Sequence, residues 1–188
     1  DPRMGVTDMG KICKTCGQQN KDCPGHFGHI ELARPVYNWH FTDYIKKILK
    51  CICIRCSKLL IDIEDPEIKN TLDSYNGSVR WSYILDKCSG NKVKICGSNN
   101  KNGCGAIQPY KYSKNTLKDG LSKIFAEWKD DVAGDGNNKQ LLTAEFVLKI
   151  FKRISDEDCI GMGFSPKWCK PHWLICSILP VSPPSVRP

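Results

Sequence analysis

No apolar run in the 188 residues approaches the length of a membrane-spanning helix, which excludes a helical membrane span. The chain does not open on a charged, then apolar, leader, so the secretory pattern is missing too. A glycine-rich phosphate loop, a Gly-x-Ser-x-Gly elbow and an aspartate cluster for two Mg2+ ions are all lacking, so no catalytic constellation is evident. Residues 87–118 hold neither an acid nor an arginine, against seven lysines. The only internal recurrence is of short cysteine pairs. The first residue is Asp1 and the last nine are proline-rich; both ends read as cut from a longer polypeptide.

Cysteine, in contrast, is abundant at twelve. In a secreted chain that count points to disulfides. Without a leader, and with two Cys-x2-Cys pairs, it points to metal in a reducing compartment. Cys13, Cys16, Cys23 and His26 fall within fourteen residues, separated by turn formers. Zinc takes four nitrogen or sulfur ligands tetrahedrally, and a Cys-x2-Cys turn puts two thiolates on one ion without strain. His29 is a rival ligand, but the tight Cys23-Pro24-Gly25-His26 turn favours His26.

A second set begins with Cys53 and Cys56, and Cys96 and Cys104 complete it. Both of these sit beside glycine, which lets backbone N–H groups approach the sulfur. Cys51 and Cys88 compete; an extended segment would place Cys51 and Cys53 on one face. Each set offers four ligands and leaves no position for water, which marks structural rather than catalytic zinc. Cys159, Cys169 and Cys176 lie among apolar and turn residues and read as core cysteines.

Periodicity supplies the elements. Residues 30–36 read as a short strand interrupted at Pro35. Residues 41–49 read as a helix capped by Thr42, with Phe41, Ile45, Ile48 and Leu49 on one face and Lys46, Lys47 and Lys50 suiting the dipole. Residues 57–63 read as a strand, broken at Asp65-Pro66, and 78–85 as helical. Residues 116–130 place Leu117, Leu121, Ile124, Phe125 and Trp128 at helical spacing, and 131–139 form a Gly/Asn loop. The clearest helix is 143–154, with Thr143 as cap and Phe146, Val147, Ile150, Phe151 and Ile154 on one face. Ser155-x-x-Asp158 starts another short helix. Residues 173–179 read as a buried strand and 180–188 as polyproline-like. The fold class expected is α+β, irregular and loop-rich, stabilised by zinc, with several short helices and strands.

The formal net charge is +8, and two filled metal sites would leave the chain basic. Tyr110-Lys111-Tyr112 interleaves aromatics with charge inside the lysine-rich stretch. That stretch reads equally as a phosphate-contacting strip or as a solvated surface.

Several blocks together resemble the N-terminal region of the largest subunit of multi-subunit RNA polymerases of the archaeal, eukaryotic and large-DNA-virus type. They are Asp1-Pro2-Arg3-Met4-Gly5, CKTCG, CPGHFGHIELARPV, CICIRCSKLL, GCGAIQP, FVLKIFKRIS and LPVSPPSVRP, in that order over nearly the whole chain. The resemblance implies a clamp core and head that helps hold DNA and the RNA–DNA hybrid. The family's two zinc sites map onto Cys13, Cys16, Cys23 and His26, and onto Cys53, Cys56, Cys96 and Cys104. The loop from Cys96 to Cys104 is shorter than in many members, which keeps Cys88 open as an alternative to Cys96.

The resemblance also implies a division into 1–40 (lead-in and first zinc site), 41–110 (head with the second site), 111–179 (helical core) and 180–188 (a strap toward the lid). The family's Asn-Ala-Asp-Phe-Asp-Gly-Asp motif is absent, so the Mg2+-dependent nucleotidyl transfer of the parent enzyme would lie outside this segment. Expected partners are DNA, the hybrid and other polymerase subunits, notably the second-largest, with no membrane. Lys92, Lys94 and Lys101 are the candidate nucleic-acid contacts. Location would be nuclear in a eukaryote and cytoplasmic for an archaeon or virus, without secretion. The rival classes are a stand-alone zinc-dependent interaction module and a disulfide-rich secreted protein.

Overall fold

In the computed structural model the described residues are 1–89, 93–98, 102–116, 122–128 and 138–187. They form a loop-rich α+β chain of short elements in two compact units, Asp1–Pro35 with Cys176–Pro188, and Val36–Ile175. No helix among the described residues is long and apolar enough to cross a membrane.

The first unit is built on turns. Its lead-in is tied down: Lys14 N–H donates to the Pro2 carbonyl at 3.1 Å and His26 N–H to the Met4 carbonyl at 2.9 Å. Strand β1 (Gly28–Tyr37) pairs with β5 (Ile175–Val181) in a two-stranded sheet. Pro35 lies within β1, tolerable because a strand with one neighbour has an edge on which no N–H is needed. The buried strand expected at 173–179 is corrected. The strand starts at Ile175, Trp173 sits in a 3-10 turn, and Ile178 and Leu179 are about half exposed. Apolar content could not fix burial there, since a two-stranded sheet offers each strand one neighbour. The proline-rich end also forms a 3-10 turn, Pro184–Val186. It lies against Gly25, where an added Cβ would come within 2.6 Å of Ser185 Oγ and 2.8 Å of Pro183 Cβ.

The second unit holds the main core. Helix α1 (Thr42–Cys51) buries Ile45, Ile48 and Leu49, spaced to share one face, and packs on α3 (Gly77–Cys88) through the buried Ile84. Thr42 does not cap α1. It is the first helical residue, and its hydroxyl donates to the Trp39 carbonyl at 3.0 Å, while the Asn38 side chain caps the preceding 3-10 turn. Helix α2 (Pro66–Asp73) begins where the sequence shows a break: the Asp65 carboxylate accepts from Glu67 N–H, and Pro66 needs no donor in the first turn. The strand expected at 57–63 is a single bridge, Ile52 to Leu59, after which Leu59, Leu60 and Ile61 are all buried. Three successive buried side chains do not alternate as a half-buried strand would.

The larger correction concerns 116–130. Strands β2 (Lys111–Thr116), β3 (Ser122–Trp128) and β4 (Asn138–Leu142) form an antiparallel sheet in that order, pairing Ile124 with Lys114 and Leu142. Ile124 and Ala126 are fully buried and alternate with exposed Lys123 and half-buried Phe125. Residues 123–126 therefore follow a period of two, and hydrogen-bonded neighbours on both sides decide for strand. Leu117 and Leu121, on which the helical reading leaned, lie outside the described residues, as does most of the expected 131–139 loop. Helix α4 (Ala144–Lys152) follows with Thr143 as its cap, accepting from Phe146 N–H at 3.2 Å, and buries Val147, Ile150 and Phe151. Ser155 caps α5 (Asp156–Gly161) by accepting from Asp158 N–H at 3.0 Å.

Candidate metal centres

Two turns of one design carry the cysteines. In the first, Cys13 N–H donates to the Gln18 carbonyl and Gly17 N–H to the Cys13 carbonyl, both at 2.9 Å, below an Ile12–Gln19 bridge. In the second, Cys53 N–H donates to Lys58 at 2.8 Å and Ser57 N–H to Cys53 at 2.9 Å, below the Ile52–Leu59 bridge. These closed turns direct both sulfurs of each Cys-x2-Cys pair to one side. The first is completed by the Cys23–His26 turn. The second is completed by a hairpin-like approach in which Cys96 N–H donates to Ala106 and Gly105 N–H to Cys96, both at 2.9 Å. Gly103 passes so near Gly97 that an added Cβ would stand 2.2 Å from its Cα.

The result is two groups of four donors, Cys13, Cys16, Cys23 and His26, and Cys53, Cys56, Cys96 and Cys104. Within each group the donor atoms lie within 4.8 Å of one another. Cys16 and Cys23 sulfurs are 3.6 Å apart, and Cys23 Sγ is 3.7 Å from His26 Nε2. Cys53 and Cys104 are 3.6 Å apart, and Cys56 and Cys96 are 3.7 Å apart. A tetrahedron of thiolates with ~2.3 Å bonds has edges of about 3.8 Å. A disulfide would need roughly 2.05 Å, and all twelve cysteines are free.

The acid–base balance of the clusters fits a cation. The Cys16 N–H pulls the Cys13 thiol down to about 6 against burial, helped by Thr15 N–H. At Cys104 burial opposes, yet the Ala106 N–H and the Cys53, Cys56 and Cys96 thiols bring it down to about 7. Their neighbours move the other way. Burial pushes Cys96 up to about 12 and raises Cys56, and at Cys16 burial and the adjacent thiols outweigh the Gln18 N–H. In each cluster one thiolate forms readily while burial penalises a neighbouring one, Cys16 in the first and Cys56 and Cys96 in the second; a divalent ion in the centre would remove that penalty.

His26 is in the first group, while His29 is exposed on β1. Cys51 and Cys88 stand outside the second group. Both are buried, the Cys88 thiol lies 3.9 Å from the Cys51 carbonyl, and the Cys88 thiol and burial hold Cys51 well above an ordinary thiol. Among the remaining cysteines, Cys159 is buried, but Cys169 is exposed and Cys176 half-buried, so the core reading holds for Cys159 alone.

Of the candidate nucleic-acid contacts, Lys94 is exposed; Lys92 and Lys101 lie outside the described residues. Sequence reasoning missed a second basic group. Lys46, Lys47 and Lys50 of α1 line a concavity of about 330 Å³ with Asp43 and Tyr112. Lys114 of β2 is near enough to help Lys46 hold the Asp43 carboxyl below its ordinary range. The i, i+1, i+4 lysine spacing was visible, but its meeting with β2 was not. Gln108, which reaches Cys53 Sγ, was missed as well.

A loop-rich α+β chain organised around two closed Cys/His donor sets is of the metal-knuckle class, whose donor groups could each hold a metal ion. The chain belongs to the family described as RNA polymerase Rpb1, domain 1, whose model matches residues 1–188. It is thus N-terminal sequence of the largest subunit of a multi-subunit RNA polymerase. The parent enzyme is a polymerase, and membership implies other polymerase subunits and nucleic acid as partners.

Proposed function

We propose that this segment is the zinc-stabilised clamp core and head of its polymerase, a wall that closes over DNA and the RNA–DNA hybrid. The observation that supports this reading is the pair of closed four-donor groups, one with three cysteines and a histidine and one with four cysteines. Neither group leaves a position for a reacting water, so the ions serve architecture. Cys13, Cys16, Cys23 and His26 would hold one Zn2+, and Cys53, Cys56, Cys96 and Cys104 the other. Bound zinc supplies charge-neutralising cross-links between remote segments. The residues do the remainder: knuckle N–H groups orient sulfurs, and short helices cover the apolar interior. Stiffness obtained this way suits a part that moves as a body.

Template-directed nucleotidyl transfer with Mg2+ would be performed elsewhere in the parent enzyme, opposite the second-largest subunit. The setting would be nuclear in a eukaryote or cytoplasmic in an archaeon or a large DNA virus. Lysines on the nucleic-acid side would hold phosphates without reading sequence, so retention of DNA falls as salt rises. Neutralising Lys92, Lys94 and Lys101 together in assembled polymerase reduces the slope of log affinity against log salt, by about 0.9 for each duplex phosphate that a lysine no longer neutralises. An unchanged slope removes these three from the nucleic-acid surface. Elemental analysis of reduced, folded chain yields two zinc equivalents, and a result near zero overturns the structural-zinc reading.

A further inference from the structure

The two knuckles differ in one side-chain donor. Cys13 and Cys53 lead matching turns, and each receives a backbone N–H from two residues on, Thr15 and Arg55, both at 3.4 Å. Cys53 Sγ also accepts from the Gln108 side chain, whose Nε2 lies 3.2 Å away. Among the described residues no side-chain amide reaches Cys13.

Gln108 is held from every side. It is 7% exposed, and its Oε1 accepts from Ile54 N–H at 3.1 Å, while Nε2 also donates to the Ala106 carbonyl at 2.8 Å. A backbone donor on one side and a carbonyl on the other settle which end of the amide is nitrogen. Its own N–H donates to the Lys94 carbonyl at 2.8 Å. The residue therefore joins the Cys53 turn to the chain on either side of Cys96 and Cys104. Cys53 is 0% exposed, so water cannot take over the bond that Gln108 makes.

The charge of the two sites gives this donor a reason. Around a divalent ion, four thiolates carry one more negative charge than three thiolates and a neutral imidazole. An N–H pointed at a thiolate disperses that charge and lowers the sulfur's tendency to react. We propose that Gln108 is a positioning residue of the second metal centre: its amide stabilises and orients the Cys53 thiolate, slowing metal loss and shielding that sulfur from electrophiles. This rests on the reading of the second cluster as a zinc site.

The test uses the full chain with Cys16→Ser and Cys23→Ser, which leaves the first group two donors, so that signals come from the second site. Gln108→Met keeps bulk and removes the amide. Gln108→Glu keeps an acceptor for Ile54 N–H and loses the donor to Cys53, so it carries the test if the first variant fails to fold. With cobalt(II) in the site, both variants shift the thiolate-to-metal charge-transfer band to lower energy, because an unbonded thiolate donates more readily. Loss of zinc to excess chelator accelerates about ten-fold. Alkylation of Cys53, mapped by mass spectrometry, accelerates relative to Cys104. An unmoved band with unchanged release in the folded variants overturns the assignment, and so does equal acceleration at Cys53 and Cys104. Failure of the parent chain to bind cobalt or zinc at all would instead overturn the metal reading itself.

Discussion

Ser57 holds, at φ +65°, the place in the second knuckle that Gly17 holds at φ +70° in the first. Each follows the second cysteine of its pair and sends its N–H back to the leading cysteine's carbonyl at 2.9 Å. Ser57 is the one non-glycine residue with positive φ among the described residues. It is fully buried, and its hydroxyl has no hydrogen-bond partner. The left-handed conformation costs a residue with a Cβ about 1 kcal/mol, and a buried unpaired hydroxyl adds to that. Ser57→Gly should therefore stabilise the metal-loaded chain by roughly 1 kcal/mol in urea denaturation. A loss of stability would mean that the serine's packing outweighs its strain.

Gly25 is the opposite case. It has φ +81°, and an added Cβ would strike Ser185 Oγ and Pro183 Cβ. Gly25→Ala should strain the Cys23–His26 turn and cost more than about 2 kcal/mol. The damage should stay with the first cluster. Metal analysis after mild chelator challenge would give close to one zinc equivalent, with the second site filled. Retention of two equivalents would show that the proline-rich end yields easily.

How much of this was legible in sequence follows from distance along the chain. Cys13 with Cys16, and Cys53 with Cys56, are fixed by covalent reach, and His26 by a four-residue turn; such geometry needs no knowledge of the fold. Helix α4 was legible too, because Thr143 and the Val147, Ile150 and Phe151 face repeat within three turns. Strand β3 was not. Its identity depends on bonds to β2 and β4, and Ile124 and Trp128, four apart, satisfy either period. Gln108 was equally hidden, since its bond to Cys53 spans 55 residues. Ser57 was unreadable for another reason: serine carries no mark of positive φ, whereas glycine does.

Removing metal should loosen the second unit unevenly. Cys56 and Cys96 are 40 residues apart and face each other at the cluster's centre, so chelation leaves their two segments joined by little more than the Gln108 bonds. The bonds of Ser57 N–H to Cys53, Cys96 N–H to Ala106 and Gly105 N–H to Cys96 depend on that closure. Hydrogen exchange at these three amides should rise sharply under chelator. Amides of α4 should stay protected longer, because Val147, Ile150 and Phe151 are buried in the apolar core. A uniform rise across the unit would mean that the metal holds the whole core rather than its knuckle.

Glu127 supplies a pH dependence separate from the thiols. It sits on the central strand β3, opposite Lys111 on one side and Lys139 on the other. The Ser113 hydroxyl donates to its carboxylate at 2.7 Å, the main reason its pKa is lowered; burial opposes this, and Lys111, Lys139 and the Tyr110 hydroxyl reinforce it. A carboxylate with a depressed folded pKa binds protons more weakly folded than unfolded. Its contribution is thus fully present above the ordinary value of about 4.3 and is lost as pH falls through the lower folded value. Glu127→Gln keeps an acceptor for Ser113 but removes the charge. The stability difference between the two chains should be plain at pH 7 and shrink toward pH 3, whatever the metal sites do, since both chains share them. A difference that is flat with pH would show that Glu127 acts through shape and hydrogen bonding, with its charge contributing nothing to the sheet.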